Sequence, residues 1–103
     1  MRFLPVISLV LATSAGVAPA YAASKKAECE AQAAIVTRAT ELRLERTSEK
    51  KALELMTSGE DEAVAEKYLG AVPAIVDWIY SDLKRKELKL DPGKAYLDTC
   101  LAQ

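Results

Sequence analysis

The residues best equipped for chemistry in this chain are its only two cysteines, Cys29 and Cys100. Thiols that work as a redox pair usually stand as Cys-x-x-Cys, so that one attacks a disulfide and its neighbour resolves the mixed species. Cys29 and Cys100 instead lie near opposite ends of the chain, which leaves three readings: an intramolecular bond, a bridge between chains, or active thiols. The spacing favours the first in an oxidising compartment. Such a bond closes a loop of about 72 residues, worth on the order of 4 kcal/mol in chain entropy.

Other chemistry finds few side chains to use. The sequence has no histidine, which removes the commonest general base, the commonest transition-metal ligand and c-type haem attachment. No G-x-S-x-G elbow, phosphate-cradling glycine loop or calcium-loop spacing occurs. A carboxylate pair could hydrolyse a glycan, but no two acids stand apart from the rest. We therefore assign no catalytic residue, no metal site and no cofactor. The triplet Glu60-Asp61-Glu62 and the run Lys84-Arg85-Lys86 are expected at the start and end of a helix, where each complements the helix dipole.

The most suggestive surface candidates are aromatic and basic. In Trp78-Ile79-Tyr80 the middle residue continues an apolar stripe, while the two rings flank it, where they could seal a core edge or anchor a partner. Arg85 lies on a nearby face. Arg43 falls on the apolar face of an earlier helix, where its stem would cover apolar surface with its head reaching water or a carboxylate; the sharper reading makes it a binding residue. Trp78, Tyr80, Arg85 and Arg43 are thus the candidate partner-binding set.

The elements that must position these residues read as helices. From Lys25 to about Arg46 the chain is rich in good helix formers with no Gly or Pro, and Ser24 can cap its start. At 100° per residue Cys29, Ala33, Ile35, Val36, Ala39 and Leu42 share one face, with Glu30, Thr37, Glu41 and Glu45 opposite; Gln32, Arg43 and Arg46 intrude on the apolar side. Ser48 introduces a short helix over 49–57 that ends at Ser58-Gly59. From Asp61 the stripe Val64, Tyr68, Val72, Ile75, Val76, Ile79, Leu83 predicts a long helix to about Arg85, bent or restarted at Pro73. Residues 87–90 read as a connector. Asp91-Pro92 then gives an N-cap and a first-turn proline to a last helix with Tyr96, Leu97, Cys100 and Leu101 on one face. The expectation is all-α: a small antiparallel bundle of about four helices, stapled by one disulfide between its first and last members.

The first residues read as an address. Arg2, an apolar run and Ala20-Tyr21-Ala22 follow the order of a secretory signal peptide with cleavage after Ala22. Pro5, Ser8, Thr13, Ser14, Gly16 and Pro19 interrupt the apolar run, against a membrane span of about 20 apolar residues. Residues 1–22 are thus expected to be removed, leaving a single domain over 23–103 with no integral span. Arg2 is the only charge in the leader, so its loss takes the formal charge from −1 to −2. That balance argues against nucleic acid as a partner.

Cys29-x-x-Gln32, a helix ending in Arg43, then Val76-Asp77-Trp78-Ile79-Tyr80 and terminal Cys100 form a pattern that resembles small exported helical proteins of Gram-negative bacteria. The resemblance covers nearly all of the mature chain and implies a periplasmic helical fold, with no reaction. The expected function is a non-catalytic module that binds another periplasmic protein. The alternative is a stress-protective protein, similar in size, export and paired cysteines to acid-activated chaperones, whose 15 acids would neutralise at low pH.

Overall fold

The computed structural model describes the backbone of residues 3–103 and the side-chain surroundings of residues 24–103. The leader over 1–22 and its cleavage after Ala22 therefore lie outside the residues whose surroundings are described. Five α-helices follow in order: α1 Phe3–Leu44, α2 Glu49–Met56, α3 Val72–Asp77, α4 Arg85–Leu88 and α5 Pro92–Ala102. A 3-10 segment, Glu66–Ala71, leads into α3, and a π-helical turn, Trp78–Asp82, leaves it. The described residues contain no strand, and none of their helices is long and apolar enough to cross a membrane. The architecture is all-α with one disulfide, Cys29–Cys100.

The core grows from the apolar face of α1. Ile35, Val36, Ala39 and Leu42 are buried there, and they meet Ala52 and Met56 of α2, Val72 and Val76 of α3, Ile79 of the π turn and Leu88 of α4. Glu30, Thr37, Glu41 and Glu45 face solvent, as a 3.6-residue period requires. Thr40 is buried within the stripe, and its hydroxyl donates back to Val36 O at 2.8 Å, which satisfies the one polar side chain there. α1 stops at Leu44 through a left-handed residue, Arg46 at φ 67°. The Arg46 and Thr47 N–H groups then donate to Arg43 O and Leu42 O, each at 2.9 Å, the bonding pattern of a Schellman end.

α5 lies antiparallel to the middle of α1. Lys25 meets Gln103, Cys29 bonds Cys100, Gln32 meets Tyr96, and Ala33 and Thr37 meet Gly93. Asp91 caps α5 by accepting from Lys94 N–H at 3.1 Å, and Pro92 occupies the first turn. The half-cystine Cα atoms are 5.8 Å apart. Gly93 sits so close to α1 that a Cβ there would stand 2.0 Å from Thr37 Oγ1 and 3.2 Å from Ala33 O.

Several expectations need correction. Ser24 is an interior residue of α1 in the full chain rather than its N-cap. No continuous helix joins Asp61 to Arg85. The apolar stripe keeps its side, but Ala65 is extended (φ −64°, ψ 137°) and Leu83 is extended (φ −94°, ψ 137°), which divides the segment into 3-10, α and π pieces. Pro73 stands in the first turn of α3, where a missing N–H is harmless. Asp61 makes a local turn by accepting from Ala63 N–H at 2.9 Å and pairs with Arg38 at 3.0 Å, so the acidic triplet starts no helix. Lys84 precedes α4 instead of ending a helix, and Glu87 accepts its N–H at 2.7 Å as a cap. The expected connector over 87–90 is therefore half helical, with Leu88 in the core.

Candidate functional site

The four candidate surface residues divide into two places. Arg43, Tyr80 and Arg85 gather where the end of α1 crosses the π turn. Arg43 Nη1 donates to Ile79 O and, at 2.6 Å, to Leu83 O, while its guanidinium lies 5.9 Å from the centre of the Tyr80 ring. Tyr80 OH donates to Thr47 O at 2.7 Å. Arg85 Nη2 donates to Leu44 O at 3.1 Å. The last carbonyls of a helix have no partner within it and carry partial negative charge, so a guanidinium aimed at them is well placed. Each helix end thus receives an arginine: Arg43 leaves α1 to cap the exit of the π turn, and Arg85, at the start of α4, caps the end of α1.

This crossing explains side chains that sequence reasoning left open. Arg43 pairs with no carboxylate among the described residues; its bonds go to backbone carbonyls, and all three residues serve intramolecular contacts here. Burial pushes the Tyr80 phenol above its ordinary range, Arg43 pulls it partly back, and Glu49 adds to the rise. Gln32, the other polar residue on the apolar face of α1, accepts from Tyr96 OH at 2.6 Å and helps seat α5.

Trp78 stands apart from that crossing. One turn of π-helix places it on the other side of Ile79, where it lines a groove of about 200 Å³ with Leu83, Glu87, Leu90, Pro92 and Ala95. Leu90 is 76% exposed at the lip, the largest exposure among the large apolar side chains described. The groove is walled by three elements: the π turn and its exit, the end of α4, and the first turns of α5. Nothing in residues 87–90 alone signals this wall, because Leu88 and Leu90 point opposite ways only once α4 has formed.

Two further recesses occur. One of about 410 Å³ opens between Arg38 and the turn bearing Ser58, Glu60, Asp61 and Glu62; its main ion pair is internal. The other, of about 140 Å³, lies beside the disulfide and is lined by Gln32, Tyr96, Thr99, Cys100 and Gln103. Among the described residues no three acids or cysteines are grouped to hold a metal ion. No protein family, curated protein or solved structure matches this chain.

Proposed function

We propose that this chain acts after export as a non-catalytic interaction module of the periplasm, with a protein partner docking in the Trp78 groove. The observation that carries this reading is Leu90, 76% exposed beside a half-buried tryptophan in an apolar recess. Exposed leucines alone need no explanation, but one at the lip of an apolar groove matches how interfaces present aromatic and aliphatic anchors. At about 200 Å³ the recess is smaller than the usual range of small-molecule sites, about 300–1,000 Å³, and it has a single ionisable lining residue, Glu87. It suits one or two apolar side chains of a partner.

The test places a photocrosslinking residue at Leu90 and, as a control, at Leu55, which is exposed on α2 and lines a different recess, in protein exported by its own leader. A discrete protein adduct from position 90, lost on Trp78→Ala and absent from position 55, is the expected result. Equal adducts from both positions, or none from position 90, would reject the groove as a docking site.

A stress-protective role has one structural observation behind it. The turn over 58–65 is fastened to α1 by carboxylates, Asp61 to Arg38 and, just beyond, Lys67 to Glu28. Acid that neutralises them together with the chain's other carboxylates would unfasten that turn and leave the chain strongly positive. Suppression of client aggregation at about pH 3, below ordinary carboxylate pKa values near 4, is the result this reading requires; no suppression there ends it.

A further inference from the structure

We propose that the Cys29–Cys100 bond is a redox latch: a thiolate from a dithiol donor attacks it at Cys100, and reduction frees α5 while the rest of the core stays folded. Two independent observations lead here.

The first concerns access. Cys29 is 1% exposed on the inner face of α1, whereas Cys100 is partly exposed and forms one wall of the 140 Å³ recess. The remaining lining side chains, Gln32, Tyr96 and Thr99, together with the terminal Gln103, come from α1 and the last two turns of α5. An incoming sulfur can therefore reach only one of the two half-cystines. Attack forms a bond between the donor sulfur and Cys100 Sγ as the Cys29–Cys100 bond breaks, and its electron pair leaves with Cys29 Sγ, which takes a proton from water. The donor's second thiolate then attacks its partner sulfur in the mixed disulfide. Cys100 departs as a thiolate and is protonated, and the donor ends as a disulfide with two electrons transferred. A thiolate is poorly held in an apolar site, so departure of Cys29 and departure of α5 from it favour one another.

The second concerns what holds α5. The core cluster is assembled from α1, α2, α3, α4 and the segments joining them, and α5 adds only a half-buried Tyr96 to its margin. Apart from sulfur, α5 is seated by buried Pro92 and Gly93 in its first turn, the Tyr96–Gln32 hydrogen bond, and an exposed bond from Lys25 Nζ to Gln103 O at 2.5 Å. At 11 residues it is shorter than the roughly 12–15 residues an isolated helix needs to persist in water. Reduction thus removes its one covalent tie, near the free end of the helix, leaving only packing against α1 to oppose release, and the released segment melts. Pro92 and Ala95 form one wall of the Trp78 groove, so release of α5 also dismantles that groove. This last consequence alone rests on the partner reading.

The test uses the full exported protein in its oxidised form. Limiting reduced glutathione is added, the reaction is quenched with acid, free thiols are alkylated, and the adducts are mapped by mass. Glutathione is expected on Cys100 and the alkyl group on Cys29, by about ten to one or more. After complete reduction with dithiothreitol, amide exchange in residues 92–102 should quicken by about 100-fold or more, while residues 35–42 change by less than about threefold. The Cys29→Ser/Cys100→Ser variant should reproduce the reduced pattern. Adducts on Cys29 or split evenly would overturn the access step. Unchanged protection of α5, or loss of protection in 35–42 together with α5, would overturn the latch.

Discussion

At the scale of single residues, Arg43 carries more structure than its position in the sequence discloses. Its two bonds to Ile79 O and Leu83 O complete the exit of the π turn, and a buried carbonyl left without a donor costs roughly 1–3 kcal/mol. Arg43→Ala should therefore destabilise the fold by about 2–3 kcal/mol in urea denaturation, with Arg43→Lys recovering part of that because an ammonium reaches one carbonyl better than two. Tyr80 offers a second readout. Burial raises its phenol above the ordinary range and Arg43 opposes that rise, so loss of Arg43 should move the tyrosinate absorbance transition further up. A folded-state acid raised above its unfolded value holds its proton longer, so its contribution is complete below about pH 10, the unfolded phenol's value, and is lost as pH climbs through the folded one. Stability of the wild type should fall on that alkaline limb, and Tyr80→Phe should flatten it. A limb unchanged by Tyr80→Phe would show that another group governs it.

At the scale of elements, the junction of α1 and α5 turns on a glycine. Helix propensity alone favours Gly93→Ala by up to about 1 kcal/mol. The new Cβ would meet Thr37 Oγ1 at 2.0 Å and the backbone oxygen of Ala33 at 3.2 Å, and overpacking of this kind typically costs about 1–3 kcal/mol. Packing should win, so Gly93→Ala is expected to destabilise by about 1–2 kcal/mol on that balance. Thr37→Ala should rescue it only in part, since Ala33 O is backbone and cannot yield. A Gly93→Ala protein as stable as wild type would mean α5 sits further from α1 than described. This close approach was invisible in the sequence, because glycine in the first turn of a helix looks like an ordinary flaw. The faces of α1, the caps of α2 and α5, and the inward aim of Cys29 were legible, since each depends on local periodicity or a single capping side chain; on α5 the expected inner face held less well, because Cys100 is partly exposed and Leu101 is 40% exposed. The segment from 61 to 83 was legible in its burial and not in its backbone. Residues spaced three or four apart share a side in 3-10, α and π geometry alike, and the turn before the extended Ala65 is held by Asp61 pairing with Arg38 of a distant helix, a contact no local pattern shows. The arginine exchange between helix ends was hidden for the same reason: its acceptors are carbonyls, which every residue has.

At the scale of the whole molecule, the question is what part of the chain is needed for the fold. The buried residues of the core cluster lie between Ile35 and Leu88, and α5, with buried Pro92 in its first turn, closes against α1 from Lys25 onward. Residues 1–22 carry one charge, Arg2, and an apolar run, and no described core residue precedes Cys29. A protein starting at Ala23 keeps every described core residue and should unfold at the same denaturant midpoint as the full chain, within about 0.5 kcal/mol. In a protein that starts at Ala23 the amino terminus stands one residue before Ser24, near the positive end of what is then the first turn of α1, where the first N–H groups lose their helical partners. In that shortened chain Ser24 can accept from one of them, whereas in the full chain it is an interior residue of α1. Ser24→Ala should accordingly lower the stability of the shortened chain by about 0.5–1 kcal/mol and leave the full chain nearly unchanged. Equal losses in both would show that Ser24 acts through something other than a helix start. The mass of the protein recovered from the periplasm decides independently whether Ala23 is its first residue.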